Sequence, residues 1–271
     1  MDLSGLVDMH IHTAPDDVPR LLDDLEAARQ AAAVGMRAIL LKSHVTCTAD
    51  RAAIAEKVVK GISVRGSLVL NCAVGGLNPA AVEAALRLGA KMVYMPTRSA
   101  RASDGRKGNL TVWEPGTEGK LSTAVLDIIS LIAEADAALG TGHLSVPETV
   151  AVVKAARDAG SRKIVVTHPD SFLVNMPLTV RQELAGLGAY FEHCYFNLYP
   201  PANDISFEEL AYRIRSVGLE RAAVSTDFGE VDRPAPVVGL SEFVSGLLRQ
   251  GFIPAEVRCM AGETPAMLIG L

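Results

Sequence analysis

Near the N-terminus runs Val7-Asp8-Met9-His10-Ile11-His12-Thr13, an apolar segment carrying two histidines one residue apart. On an extended chain alternate residues face one side, so His10 and His12 point together, about 7 Å apart. Two imidazoles on one face at the end of a buried strand supply half of a metal site. Their partners must come from later parts of the chain.

Outward from this segment, strand and helix patterns alternate. Residues 21–34 read as a helix stopped by Gly35. Residues 36–41 form an apolar run broken only by Arg37, the mark of a parallel strand covered on both faces, and it ends in Lys42-Ser43-His44. A helix over 49–60 and a strand over 67–74 follow. Asn78 then caps a helix with Pro79 at its first position, and a fourth strand spans 91–95. Residues 97–120 interrupt the alternation with a polar, Gly-rich insertion containing Arg98, Arg101, Arg106, Lys107 and the sole Trp113. Insertions of this length are usually functional or mobile. Residues 121–139 read as the longest helix. A very short fifth strand ends at Gly140-Thr141-Gly142-His143, and Ser145 with Glu148 makes a capping box. Strands over 163–167, 190–196 and 222–226 complete the set. The pattern predicts an α/β fold: a single-domain (β/α)8 barrel of the TIM type over 1–271, with 97–120 as an inserted loop or lid. No Gly-x-Gly-x-x-Gly turn or P-loop supports a nucleotide-binding sheet.

Composition narrows the function. The chain has 271 residues, 49% hydrophobic, with a net charge of −5, enough for one sizeable core and contrary to a nucleic-acid surface. No apolar run approaches the ~18 residues of a membrane span, and the first residues lack the features of a signal peptide. Four scattered cysteines read as reduced thiols in a cytoplasmic protein. The expected partner is a small-molecule substrate, with self-association compatible; neither nucleic acid nor membrane is expected.

All six histidines (His10, His12, His44, His143, His168 and His193) fall at or near the C-terminal ends of predicted strands, where barrels of this kind build active sites. His143 follows Thr141-Gly142 with no apolar side to pack and reads as a ligand. His168 ends an apolar strand and reads as a ligand or water-orienting residue. Asp227 also ends an apolar strand, where a carboxylate needs a cation. Lys42 and His44 point the same way from strand two and are catalytic candidates. His193 is either a substrate contact or a hydrogen-bonded core residue. Arg98 and Arg101 are either solvated charge or a contact for an anionic substrate.

Together, Val7-Asp8-Met9-His10-Ile11-His12, His143, Val165-Val166-Thr167-His168-Pro169 and Ser225-Thr226-Asp227 resemble the amidohydrolase superfamily of metal-dependent barrels. The ending Glu263-Thr264-Pro265-Ala266-Met267-Leu268-Ile269-Gly270-Leu271 is similar to the Asn-Pro-Ala-Arg-Leu-Leu-Gly-Leu ending of its amidohydrolase-related branch. The resemblance implies a divalent metal, Zn2+ before Mn2+ or Fe2+, held by His10, His12, His143, His168 and Asp227, with Asp227 moving the proton. Two-metal members carry a bridging lysine or glutamate on strand four. Here that strand ends Met95-Pro96-Thr97, which implies about one ion per chain unless Lys42 bridges. The implied activity is hydrolysis of an amide, lactone or related carboxyl derivative. The sequence also resembles the polymerase-and-histidinol-phosphatase phosphoesterases through its His-x-His-Thr start and His44. It departs from them in offering only Asn71 and Cys72 where an acidic strand-three ligand is required. The superfamily resemblance is also compatible with a decarboxylase-type barrel and with an inactive metal-binding barrel.

Overall fold

The computed structural model describes residues 2–103 and 109–271. Arg106 and Lys107 of the insertion lie outside the described residues. Eight parallel strands form the sheet: β1 (Val7–His12), β2 (Ala38–Lys42), β3 (Ser63–Val69), β4 (Met92–Tyr94), β5 (Ala138–Gly140), β6 (Ile164–Thr167), β7 (Tyr190–Cys194) and β8 (Ala222–Ser225). Each pairs with the next in chain order. The first and last strands meet through His12 N–H to Phe228 O at 2.8 Å and Asp227 N–H to His10 O at 2.9 Å, which brings the sheet round into a barrel. Eight helices alternate with the strands: α1 (Asp24–Ala33), α2 (Ala49–Val58), α3 (Pro79–Arg87), α4 (Thr123–Glu134), α5 (Val146–Asp158), α6 (Leu178–Gly186), α7 (Phe207–Val217) and α8 (Pro236–Arg249). No helix among the described residues is long and apolar enough to cross a membrane.

The continuous apolar strands are explained by two shells of packing. Val7, Met9, Leu40, Val69, Met92 and Val165 fill the barrel, joined by Ala266, Leu268 and Ile269 near the C-terminus. Ile39, Leu41, Phe191 and Val224 point outward against the helices. Fully burying one such side chain is worth about 1.5–3 kcal/mol.

Several boundaries differ from the sequence-based expectation. β3 starts before the expected strand, and the expected end of that strand is a short 3-10 turn, Cys72–Val74. α4 stops at Glu134 because Asp136 takes φ +49° and Ala137 N–H turns back to Ile132 O; α8 is the longer helix. The insertion carries an antiparallel hairpin, Trp113–Glu114 with Thr117–Leu121. Its flanks are tied down: Arg101 N–H and Leu110 N–H bond Leu110 O and Ser99 O, and Thr111 Oγ1 donates to Glu148 of the α5 capping box.

Candidate metal centre

A bulge in β1 aims the two histidines. Val7 and Asp8 pair with Ala38 and Ile39, but Ile11 and His12 pair with Leu41 and Lys42, so β1 spends one residue more than β2 between these points. Met9 packs into the barrel core and His10 and His12 also turn inward, an arrangement that simple alternation cannot give. Across the seam, Thr226 donates to Asp8 through its N–H at 3.0 Å and its hydroxyl at 2.6 Å. Burial raises the Asp8 pKa to about 7 against the pull of these bonds. The next residue, Asp227, adopts φ +55°, a left-handed conformation rare outside glycine, and turns its carboxylate to β1.

Asp227 Oδ1 lies 2.8 Å from His10 Nε2 and 3.2 Å from His12 Nε2. Lys42 Nζ lies 2.8 Å from His10 Nε2 and 4.6 Å from the centre of the Tyr94 ring. Burial opposes charge on His10, yet Asp227 and Glu192 outweigh it and raise its pKa to about 9. Burial dominates at His12, lowering its pKa to about 3, and it also lowers that of Lys42. Burial works against the Asp227 carboxylate, but His10, His12 and Lys42 hold its pKa well below the usual range.

A second pair sits beside this triad. The His168 ring, placed by φ +28°, lies 4.8 Å from that of His143 and 6.2 Å from that of His10. Burial holds both rings neutral, His168 at about 4 and His143 well below its usual value. Ser103 Oγ, from the insertion, meets His143 Nδ1 at 2.9 Å. The five expected ligands thus gather at one end of the barrel as a triad and a pair.

The donor set fits a divalent ion. His10, His12 and Asp227 offer two ring nitrogens and a carboxylate oxygen within 4.8 Å of one another. His12 Nδ1 and His168 Nδ1 are buried with no hydrogen-bond partner among the described residues. Beneath His10 lie two inward residues of β7 that the sequence pattern did not single out. Glu192 Oε2 is 3.2 Å from His10 Nδ1, and Cys194 Sγ is 3.8 Å from it. Glu192 stands where carboxylates orient metal-binding histidines. Strand parity held the signal: Phe191 packs outward, so Glu192 and Cys194 face in.

The same parity turns His193 outward, which favours the hydrogen-bonded core residue of its two readings over the substrate contact. Its Nδ1 meets Asp170 Oδ2 at 2.6 Å, and Asp170 Oδ1 accepts from Arg181 at 2.6 Å and Arg213 at 3.1 Å. This buried network, not substrate binding, occupies the His193 side chain, and it anchors the turn after His168. Burial works against the Asp170 carboxylate, but His193 and Arg181 hold its pKa well below the usual range. Its folded pKa therefore lies under the unfolded value of about 3.9. The stability it contributes is complete above that pH and is lost as pH falls towards the folded value. Asp170→Asn should cost about 3–5 kcal/mol in urea unfolding at neutral pH and flatten the acid limb of stability. A loss under about 1 kcal/mol would show the network to be dispensable.

Arg98 is half-buried and pairs with Asp17 of the β1 loop at 3.4 Å. Its charge reaches Lys42 and His44. Arg101 is exposed, reaches Asn109 Oδ1 at 3.3 Å, and lines a groove of about 820 Å3 between the hairpin and α5 that includes none of the histidines. The structure does not bring Arg101 to the centre.

Solved structures similar to this chain include an amidohydrolase, lactonases, phosphotriesterases and dipeptidases. An amidohydrolase from Pseudomonas aeruginosa aligns over 98% of this chain and 95% of its own, with TM-score 0.65 and 14% identity. A lactonase from Listeria monocytogenes aligns over 99% and 95%, with TM-score 0.62 and 13% identity. A dipeptidase described as a metallopeptidase aligns over 98% of both chains, with TM-score 0.68 and 12% identity. At such identities the likeness establishes the (β/α)8 barrel. The chain belongs to the family of unknown function DUF6282, whose model matches residues 5–192. No curated protein matches the sequence.

Proposed function

We propose that the chain is a metal-dependent hydrolase acting on an amide, lactone or related carboxyl derivative of a small anionic molecule. The observation that carries this reading is the convergence of His10 Nε2 and His12 Nε2 on Asp227 Oδ1 at the C-terminal end of the barrel. A bound zinc, manganese or iron ion supplies a Lewis acid and lowers the pKa of water to about 7, from roughly 15.7 in bulk. His10, His12 and Asp227 would hold it, and neutral His143 and His168 would offer further lone pairs. The Asp227 carboxylate takes the proton of the attacking water and returns it to the leaving group. Lys42, felt by both Asp227 and Glu192, balances their charge. The reading extends to a cytoplasmic enzyme with free cysteines.

The phosphoesterase reading gains nothing from β3. Asn71 stands where it needs an acidic ligand, and its Oδ1 accepts from Thr97 N–H and Ser99 N–H. Assay of the metal-loaded protein on lactone, amide and phosphate-ester panels tests the choice. Lactone or amide turnover abolished by chelation supports it; turnover of phosphate esters alone contradicts it. Arg98→Ala should raise KM for an anionic substrate about tenfold and leave a neutral analogue unchanged, since a guanidinium pairs with carboxylate. Equal effects on both would reduce Arg98 to surface charge.

A further inference from the structure

His44 follows β2, and its ring stacks on that of His12 with 4.8 Å between centroids and 21° between planes. Its hydrogen bonds fix which nitrogen carries the proton. Asn71 Oδ1 accepts from two backbone N–H groups, Thr97 at 2.9 Å and Ser99 at 3.1 Å. That orients the amide and makes Nδ2 the donor, to His44 O at 3.0 Å and to Thr97 Oγ1 at 2.8 Å. Thr97 is fully buried, so its hydroxyl proton also needs an acceptor. His44 Nδ1, at 2.8 Å, is the one its hydrogen bonds supply. A proton on Nδ1 would aim two donors at Thr97 Oγ1 and strand the buried hydroxyl proton. The neutral ring therefore carries its hydrogen on Nε2. That N–H has no partner among the described residues, on a residue only 8% exposed at the edge of the centre.

We infer that His44 is a hydrogen-bond donor, through Nε2–H, to an oxygen of the substrate and is not a metal ligand; the substrate part of this rests on the hydrolase reading above. A protonated Nε2 has no lone pair for a cation, and the lone pair of Nδ1 is engaged by Thr97. The centre then divides by strand. The ends of β1 and β8, with His143 and His168 beside them, would hold the ion. The ends of β2, β3 and β4 present a fixed donor, with the Arg98 charge nearby, to a carbonyl or carboxylate oxygen.

The test is nitrogen NMR on zinc-loaded, 15N-histidine-labelled protein, with His44 assigned by its loss in His44→Gln and sodium acetate as the probe. The expected spectrum shows a bare Nδ1 and a protonated Nε2 whose N–H signal moves on acetate addition. His44→Gln and His44→Phe should keep the zinc stoichiometry, while His44→Phe weakens acetate binding about tenfold and His44→Gln, which keeps an N–H, does so less. Thr97→Val should scramble the tautomer and Thr97→Ser restore it. A protonated Nδ1, zinc lost from His44→Gln, or an N–H signal unmoved by acetate would overturn the inference. Failure to bind zinc with the tautomer intact would overturn the hydrolase reading and leave the hydrogen-bond assignment standing.

Discussion

Asp227→Asn should lower kcat by about 100-fold or more while the protein stays folded and retains its metal, which separates binding from chemistry at a single side chain. The asparagine keeps the size and one coordinating oxygen but cannot take a proton. The carboxylate has no substitute in its own strand, since Ala222, Ala223, Val224 and Ser225 are not bases at neutral pH. The left-handed φ of +55° suits asparagine as well as aspartate, so the backbone should not move. Turnover within a few-fold of the parent would place the base elsewhere, and His168 would be tested next.

The paired substitution His10→Ala with His12→Ala should abolish metal binding and the rise in Tm that metal addition gives the parent. Binding stabilises the native state by about 4 kcal/mol at a thousand-fold excess over Kd, and the variant should forfeit all of it. It should still melt cooperatively, because the barrel core of Val7, Met9, Leu40 and their neighbours does not depend on these rings. A variant that keeps its metal would remove both residues from the ligand set. One that cannot fold would make the site structural.

The barrel was legible because each apolar run ends in a turn and a polar residue, and because no second pattern intrudes. His10, His12 and Asp227 were legible as polar groups at the ends of apolar strands. The register inside a strand was not. The bulge that lets Met9 and His10 both turn inward leaves no mark in residue type. In β7 the histidine draws attention to His193, whereas the outward packing of Phe191 assigns the interior to Glu192 and Cys194. Arg101 and Arg98 are equally basic in the sequence; only the pairing of Ala100 with Leu110 separates them, by folding Arg101 back along the insertion. The hydrogen on His44 rests on Asn71 and Thr97, residues from two other strand ends that carry no catalytic signal of their own.

Metal content per chain, measured together with the anomalous scattering at the centre, tests the central claim most directly. The predicted result is about one zinc, manganese or iron ion per chain under replete conditions, with its anomalous peak between His10 Nε2, His12 Nε2 and Asp227. A metal-free protein with these side chains intact, or an ion bound away from them, would contradict it.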